Sequence, residues 1–221
     1  MEVPGASEPL KHNCLSCGIV AVWASSMREM PAPPSQFLKE LFGDPHTTTL
    51  LIGPDGLTVK RLMKPPQPFA SLGPARLEVL TAAPEETARV VGALAAEVRK
   101  AANQKEILLS GLGLNVEHEW IEPGWKPSSE WLARHFALSD RGANATEVQS
   151  IHIRIVLDEQ RPLFVNLQPR AENPEGVWAA TNDHRELMAK PLPEGEDLVR
   201  MLTESIRLTE ERIGAILGGQ R

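Results

Sequence analysis

Tyrosine is absent, and cysteine occurs only at Cys14 and Cys17. So few cysteines exclude a disulfide-stapled secreted scaffold and predict a reducing compartment. The apolar run at 19–24 is far shorter than the roughly twenty residues a membrane-spanning helix needs, so no membrane partner is expected. Residues 1–5 lack the basic start and apolar core of a signal peptide. A soluble, cytoplasmic protein is therefore expected. Lys and Arg form no run, and the net charge is −6, a balance that disfavours phosphate-rich surfaces. No nucleic-acid partner is expected.

What the chain does have is the material for a core: 42% of its residues are hydrophobic and 24% charged, which needs neither disulfide nor metal to fold. Residues 1–13 are polar and loosely held. A buried strand is expected at 17–24 around Trp23. A short helix over 36–42 follows, with Ser35 as its cap and Gly43 as terminator. Strands at 47–52 and 57–62 form a hairpin around Gly53, Pro54, Asp55 and Gly56. The proline-rich stretch 64–74 reads as a loop, and Arg76–Thr81 as a strand. Pro84–Ala102 is the best helix of the first half. Pro84 suits its first position, Glu85 and Glu86 the positive end of its dipole, and Val91, Leu94 and Val98 lie on one stripe. A strand at 107–114 closes this half.

The second half is expected to begin near residue 125. It has a helix over 129–138, with Trp131, Leu132, His135 and Phe136 facing inward, and a loop at 142–145. Strands follow at 151–157, 163–168 and 177–181, and a terminal helix over 196–217. Its stripe is Leu198, Leu202, Ser205, Thr209, Ile213 and Ile216. Both halves run strands first and an amphipathic helix late. The fold class is α+β: two antiparallel-sheet modules, 14–124 and 125–221, each packed by a helix. The order is compatible with a diverged duplication and with one integrated domain.

Three groups of residues are candidates for chemistry. His12, Cys14 and Cys17 have the spacing of a zinc half-site, but a structural site needs a fourth ligand and no second cysteine pair exists. Two reduced thiols at the entrance to a strand are expected, with zinc as the alternative. Trp120, Trp125 and Trp131 surround a Pro123–Gly124 turn. Tryptophans wedged between the modules are expected, because Trp131 lies on the apolar face of a helix; the alternative is a partner-binding surface of Trp120 and Trp125, and Trp125 is the one expected to be exposed. The acid–histidine neighbours Glu117, His118 and Glu119, and Asp183 and His184 near Glu186, are weak candidates for general acid/base work. Alternation on a strand puts Glu117 and Glu119 opposite His118, the pattern of a solvated edge. Gly111 and Gly113 lack the third glycine and immediate helix of a dinucleotide loop. No other familiar nucleotide, nucleophile-elbow or zinc-helix motif occurs.

The hairpin, Arg76–Thr81, the helix after it, and the strand ending in Gly111, Gly113 and Asn115 together resemble a sporadically distributed bacterial family of uncharacterised proteins. Members have a similar glycine-and-asparagine strand after a first-half helix. They end in a helix preceded by a strand with an acidic residue, here 178–183 and then 196–217. The resemblance spans about residues 45–217. It implies a two-part α+β fold and no activity.

The leading expectation is a non-enzymatic interaction protein, a subunit of a bacterial assembly that binds a protein partner or a second copy of itself, without a cofactor. Met201, Ile206 and Leu208 widen the apolar face of the terminal helix toward such a role. The alternative is a ligand binder or enzyme with a pocket between the modules, walled by His118, Glu119, Trp120 or Asp183.

Overall fold

A computed structural model describes residues 10–27, 33, 35–42, 46–53, 56–61, 67–136, 148–158 and 161–218. The expected turn residues Pro54 and Asp55, the terminator Gly43 and the loop 142–145 lie outside them. The elements are β1 (Lys11–Trp23), α1 (Ser35–Glu40), β2 (Thr48–Gly53), β3 (Gly56–Arg61), β4 (Phe69–Leu72), β5 (Arg76–Thr81), α2 (Pro84–Ala102), β6 (Leu108–Ile121), α3 (Ser128–His135), β7 (Ile151–Asp158), β8 (Arg161–Pro169), β9 (Gly176–Pro191) and α4 (Gly195–Gly218). The class is α+β.

All nine of these strands join one antiparallel sheet in the order β2-β3-β4-β5-β1-β6-β9-β8-β7. The order has an internal symmetry. In each half a first strand is followed by a short helix, then by a meander whose last strand returns to pair with the first, then by a long helix. Strands β1 and β6 are the two first strands, and they pair with each other at the centre. The topological repeat therefore breaks between α2 and β6, at 103–107, earlier than the boundary near 125 that composition suggests. Two modules have become one sheet.

Helices α2 and α4 pack side by side on one face of that sheet. Alternation in each strand decides what they cover. Ile19, Ala21, Leu77, Val79, Leu112 and Leu114 point beneath α2 and the first turns of α4. Leu163, Val165, Leu167, Val177 and Ala179 point beneath α3 and the last turns of α4. Leu198 and Leu202 serve the first cluster and Ile213 and Leu217 the second, so α4 spans both. Helix α2 begins at Pro84 as expected and ends on Asn103, which adopts a left-handed conformation (φ 50°) and returns amide hydrogen bonds to Arg99 and Lys100.

Four expectations are corrected. Residues 11–13, read as part of a loosely held N-terminus, open β1 and pair with Ile121, Trp120 and Glu119 of β6. The stretch 64–74 is not all loop: residues 69–72 carry no proline, alternate in burial, and pair with β3 on one side and β5 on the other. Strand β6 runs on through Glu117 and His118 to Ile121 and lies in the middle of the sheet, so these residues do not form an edge. Strand β9 continues well past Thr181, where Asp183 finds Arg161 across the sheet on β8 and Arg185 along its own strand.

Candidate binding groove on the uncovered sheet face

His118, Asp183, Trp120, Trp125 and the two cysteines fall on the helix-covered face or in the core, while Glu117, Glu119 and His184 fall on the other face. His118 is fully buried. The Thr209 hydroxyl donates to the Ile206 carbonyl at 2.8 Å, so it must accept from His118 Nε2 at 3.1 Å. That assigns the proton to Nε2 and leaves Nδ1 bare, buried and without a partner. Burial, helped by nearby His12, pushes the imidazole down to about 4. Asp183 is also fully buried. Arg161 holds it bidentately, Nε to Oδ1 at 2.8 Å and Nη2 to Oδ2 at 2.7 Å, and Arg185 Nη2 adds a contact at 3.2 Å. Burial pushes the Asp183 carboxyl up, but the hydrogen bond from Arg161 and the charges of Arg185 and Arg161 outweigh it, and the net shift is down. His184 lies on the opposite face, level with Gly113, and Glu119 there pairs with Arg170 at 3.2 Å. The acid and the imidazole of each neighbouring pair are thus on different faces of the sheet.

The tryptophans are packed. The expectation of an exposed Trp125 is corrected: a short 3-10 turn at Pro123–Trp125 folds its ring inward, against Trp131 at 4.4 Å, which in turn stacks on His135 at 4.4 Å. Trp120 is buried under α4 at Gly214 and stacks on His12 at 4.5 Å. His12 also meets Glu210 at 3.2 Å. A bulge between Cys14 and Ser16 puts both cysteines toward the helices. Burial pushes the Cys14 thiol up to about 11, with Glu210 adding, and the Cys17 thiol up to about 12. No group of three or more His, Cys, Asp and Glu side chains arranged to hold a metal exists among the described residues.

Among the described residues the helices leave the other face of the sheet uncovered, and there a groove of about 490 Å³ crosses both halves of the chain. Its axis is a single cross-strand row. Lys60, Phe69, Leu80, Gly18, Asn115, Asn182, Phe164 and Arg154 are successive register partners on β3, β4, β5, β1, β6, β9, β8 and β7. The row respects the internal symmetry. A phenylalanine stands on the next-to-last returning strand of each half, Phe69 and Phe164, and a cation stands outside each, Lys60 and Arg154. Arg154 lies over the Phe164 ring at 5.9 Å.

The middle of the row is low and polar. At Gly18 the β1 backbone approaches β5 so closely that a Cβ would lie 2.0 Å from the Val79 carbonyl oxygen. Asn182 folds over Gly113 and donates from Nδ2 to Asn115 Oδ1 at 2.5 Å. Beside the row, the half-buried Ala180 lies between Glu117 on β6 and Asn166 on β8, its register partners. Glu117 takes the Ser16 hydroxyl at 2.7 Å on Oε2. Asn166 Oδ1 is buried and has no partner. Of these groove residues the sequence singles out only Glu117, as an acid–base candidate, and Asn115, in the glycine-and-asparagine strand; for the others the signal was the outward half of each strand's alternation, which becomes a row only once the register is known.

No protein-family model matches this chain, and no curated protein matches it. Among solved structures it is similar to a rolling circle replication initiator protein from Geobacillus stearothermophilus, with 8% identity and a TM-score of 0.29 over 89% of this chain and 80% of that one, a likeness too slight to transfer any property.

Proposed function

We propose that this chain is a non-enzymatic interaction protein, part of a larger assembly, and that the uncovered sheet face receives an extended segment of a protein partner. The observation that carries this reading is the symmetric row with Phe69 and Phe164 as its two apolar anchors. Phe164 is 44% exposed although it stands in the interior of the sheet, beside strands whose other face is fully packed. A solvent-facing aromatic with a cation over its ring is what a partner's apolar side chain docks against.

The groove's shape favours a polypeptide over a small molecule. From β4 to β7 it crosses strands spaced about 4.8 Å apart, roughly 29 Å in all. A small ligand lying in so open a trough would keep much of its surface in water, whereas ligand pockets bury most of it. With Glu78 and Glu117 set against Lys60 and Arg154, the described residues of the groove form no cluster of positive charge to neutralise a phosphate backbone, in a chain of net charge −6.

Phage display of short random peptides against the immobilised protein tests this reading. Binding clones that lose their affinity for Phe164→Ala and Phe69→Ala variants are expected. Clones that bind those variants as well as the parent, or no clones at all, would remove the groove from consideration.

A further inference from the structure

We infer that the partner segment presents a lysine or arginine side chain, and that its cationic head enters the cup over Ala180. This rests on the docking reading above and names the chemistry of the contact.

The cup is defined by register. Glu117 and Asn166 flank Ala180 on the strands either side, so roughly 10 Å separates their backbones, with only a methyl group between. Asn182, two residues along β9, closes one end. Among the described residues, three acceptors around this space are left unfilled, one of them a carboxylate oxygen. Ser16 occupies one carboxylate oxygen of Glu117 and leaves the other. Asn182 spends an N–H on Asn115 and keeps its own Oδ1 as an acceptor. Asn166 Oδ1 is already buried and unsatisfied. A buried acceptor without a donor is costly, and a donor-rich group relieves that cost on binding.

A carboxylate ligand would add acceptors to acceptors beside a negative charge. An apolar side chain would leave Asn166 Oδ1 unsatisfied. An ammonium brings three N–H donors and a guanidinium five, either of which supplies several acceptors at once. The stem of such a side chain is apolar and has Phe164 next to Asn166 on the same face of β8 to lie against, as long cationic side chains do. Arg154 stands beyond Phe164, outside the cup, where it sets the limit of the cation's approach.

The test takes clones from the phage selection as synthetic peptides and replaces each Lys or Arg in turn with Gln. Their affinities are measured against the parent protein and against Glu117→Gln, which keeps an acceptor for Ser16, and Ala180→Leu, which fills the cup from a half-buried position. One basic residue is expected to carry about tenfold in affinity. Glu117→Gln should remove most of that difference, and Ala180→Leu should weaken the parent peptide but not its Gln analogue. If Phe164→Ala abolishes binding while Lys and Arg replacements and Glu117→Gln change nothing, the cup inference fails and groove docking stands. If binding ignores Phe164→Ala, the docking reading fails and the inference with it. If the protein instead self-associates in sedimentation and Phe164→Ala abolishes that association, the occupant is a second copy and the peptide reading is overturned.

Discussion

His118 donates an Nε2–H hydrogen bond to Thr209 on α4, 91 residues away in sequence, and its burial there keeps the imidazole neutral. In the unfolded chain a histidine takes its second proton near 6.5; here burial delays that to about 4. Between those values the unfolded state holds more protons, so stability is fully present above about 6.5 and falls as pH drops toward 4. The loss approaches about 3 kcal/mol on the acid side of that window. Urea unfolding across this range should show that slope in the parent protein and a shallower one in His118→Phe. Equal slopes would mean that His118 is not the titrating group.

Asp183 makes the opposite kind of demand, a buried charge that must stay charged. Replacing it with Asn leaves Arg161 and Arg185 without their shared anion. A loss of about 3–5 kcal/mol is expected, since breaking a buried pair from one side exposes the cost of the remaining charges. Thermal denaturation measures it. A variant as stable as the parent would free Asp183 for a role other than holding β8 to β9.

Gly18 and Gly92 should respond to alanine in opposite directions. A Cβ at Gly18 would collide with the β5 backbone, and a loss of about 2–4 kcal/mol is expected from strand separation. Nothing lies within 4 Å of a Cβ at Gly92, inside α2, where alanine should add about 0.5–1 kcal/mol through helix propensity. Chemical denaturation of the two variants side by side decides it, and a harmless Gly18→Ala would show that β1 and β5 are not so closely apposed.

The two thiols should be poor nucleophiles at pH 8, because both remain protonated. Iodoacetamide should label exposed Cys14 slowly and buried Cys17 only after unfolding. Mass spectrometry of the timed reaction reads both rates. Fast labelling of either in the native protein would point to a thiolate that the packing does not predict.

The amino-acid sequence by itself determined the local elements: the bounds of α2 from Pro84 and its apolar stripe, β5 and β7 from alternation, and α4 from the spacing of Leu198 to Ile213. A helix stripe and a cap are written within a few residues, so they can be read without knowing what lies opposite. Only the tertiary structure decided the rest. Strand β9 tolerates Asp183 because Arg161 reaches it from β8; Trp125 is buried because Trp131 folds over it; and the two modules fuse because β1 and β6 pair. The groove belongs to the same class: Phe69 and Phe164 are 95 positions apart, and nothing between them announces that they share a row. Inter-strand register sets which residues become neighbours, and the packing of the long helices on one side sets which face stays open. Both are choices among distant partners, which no local pattern encodes.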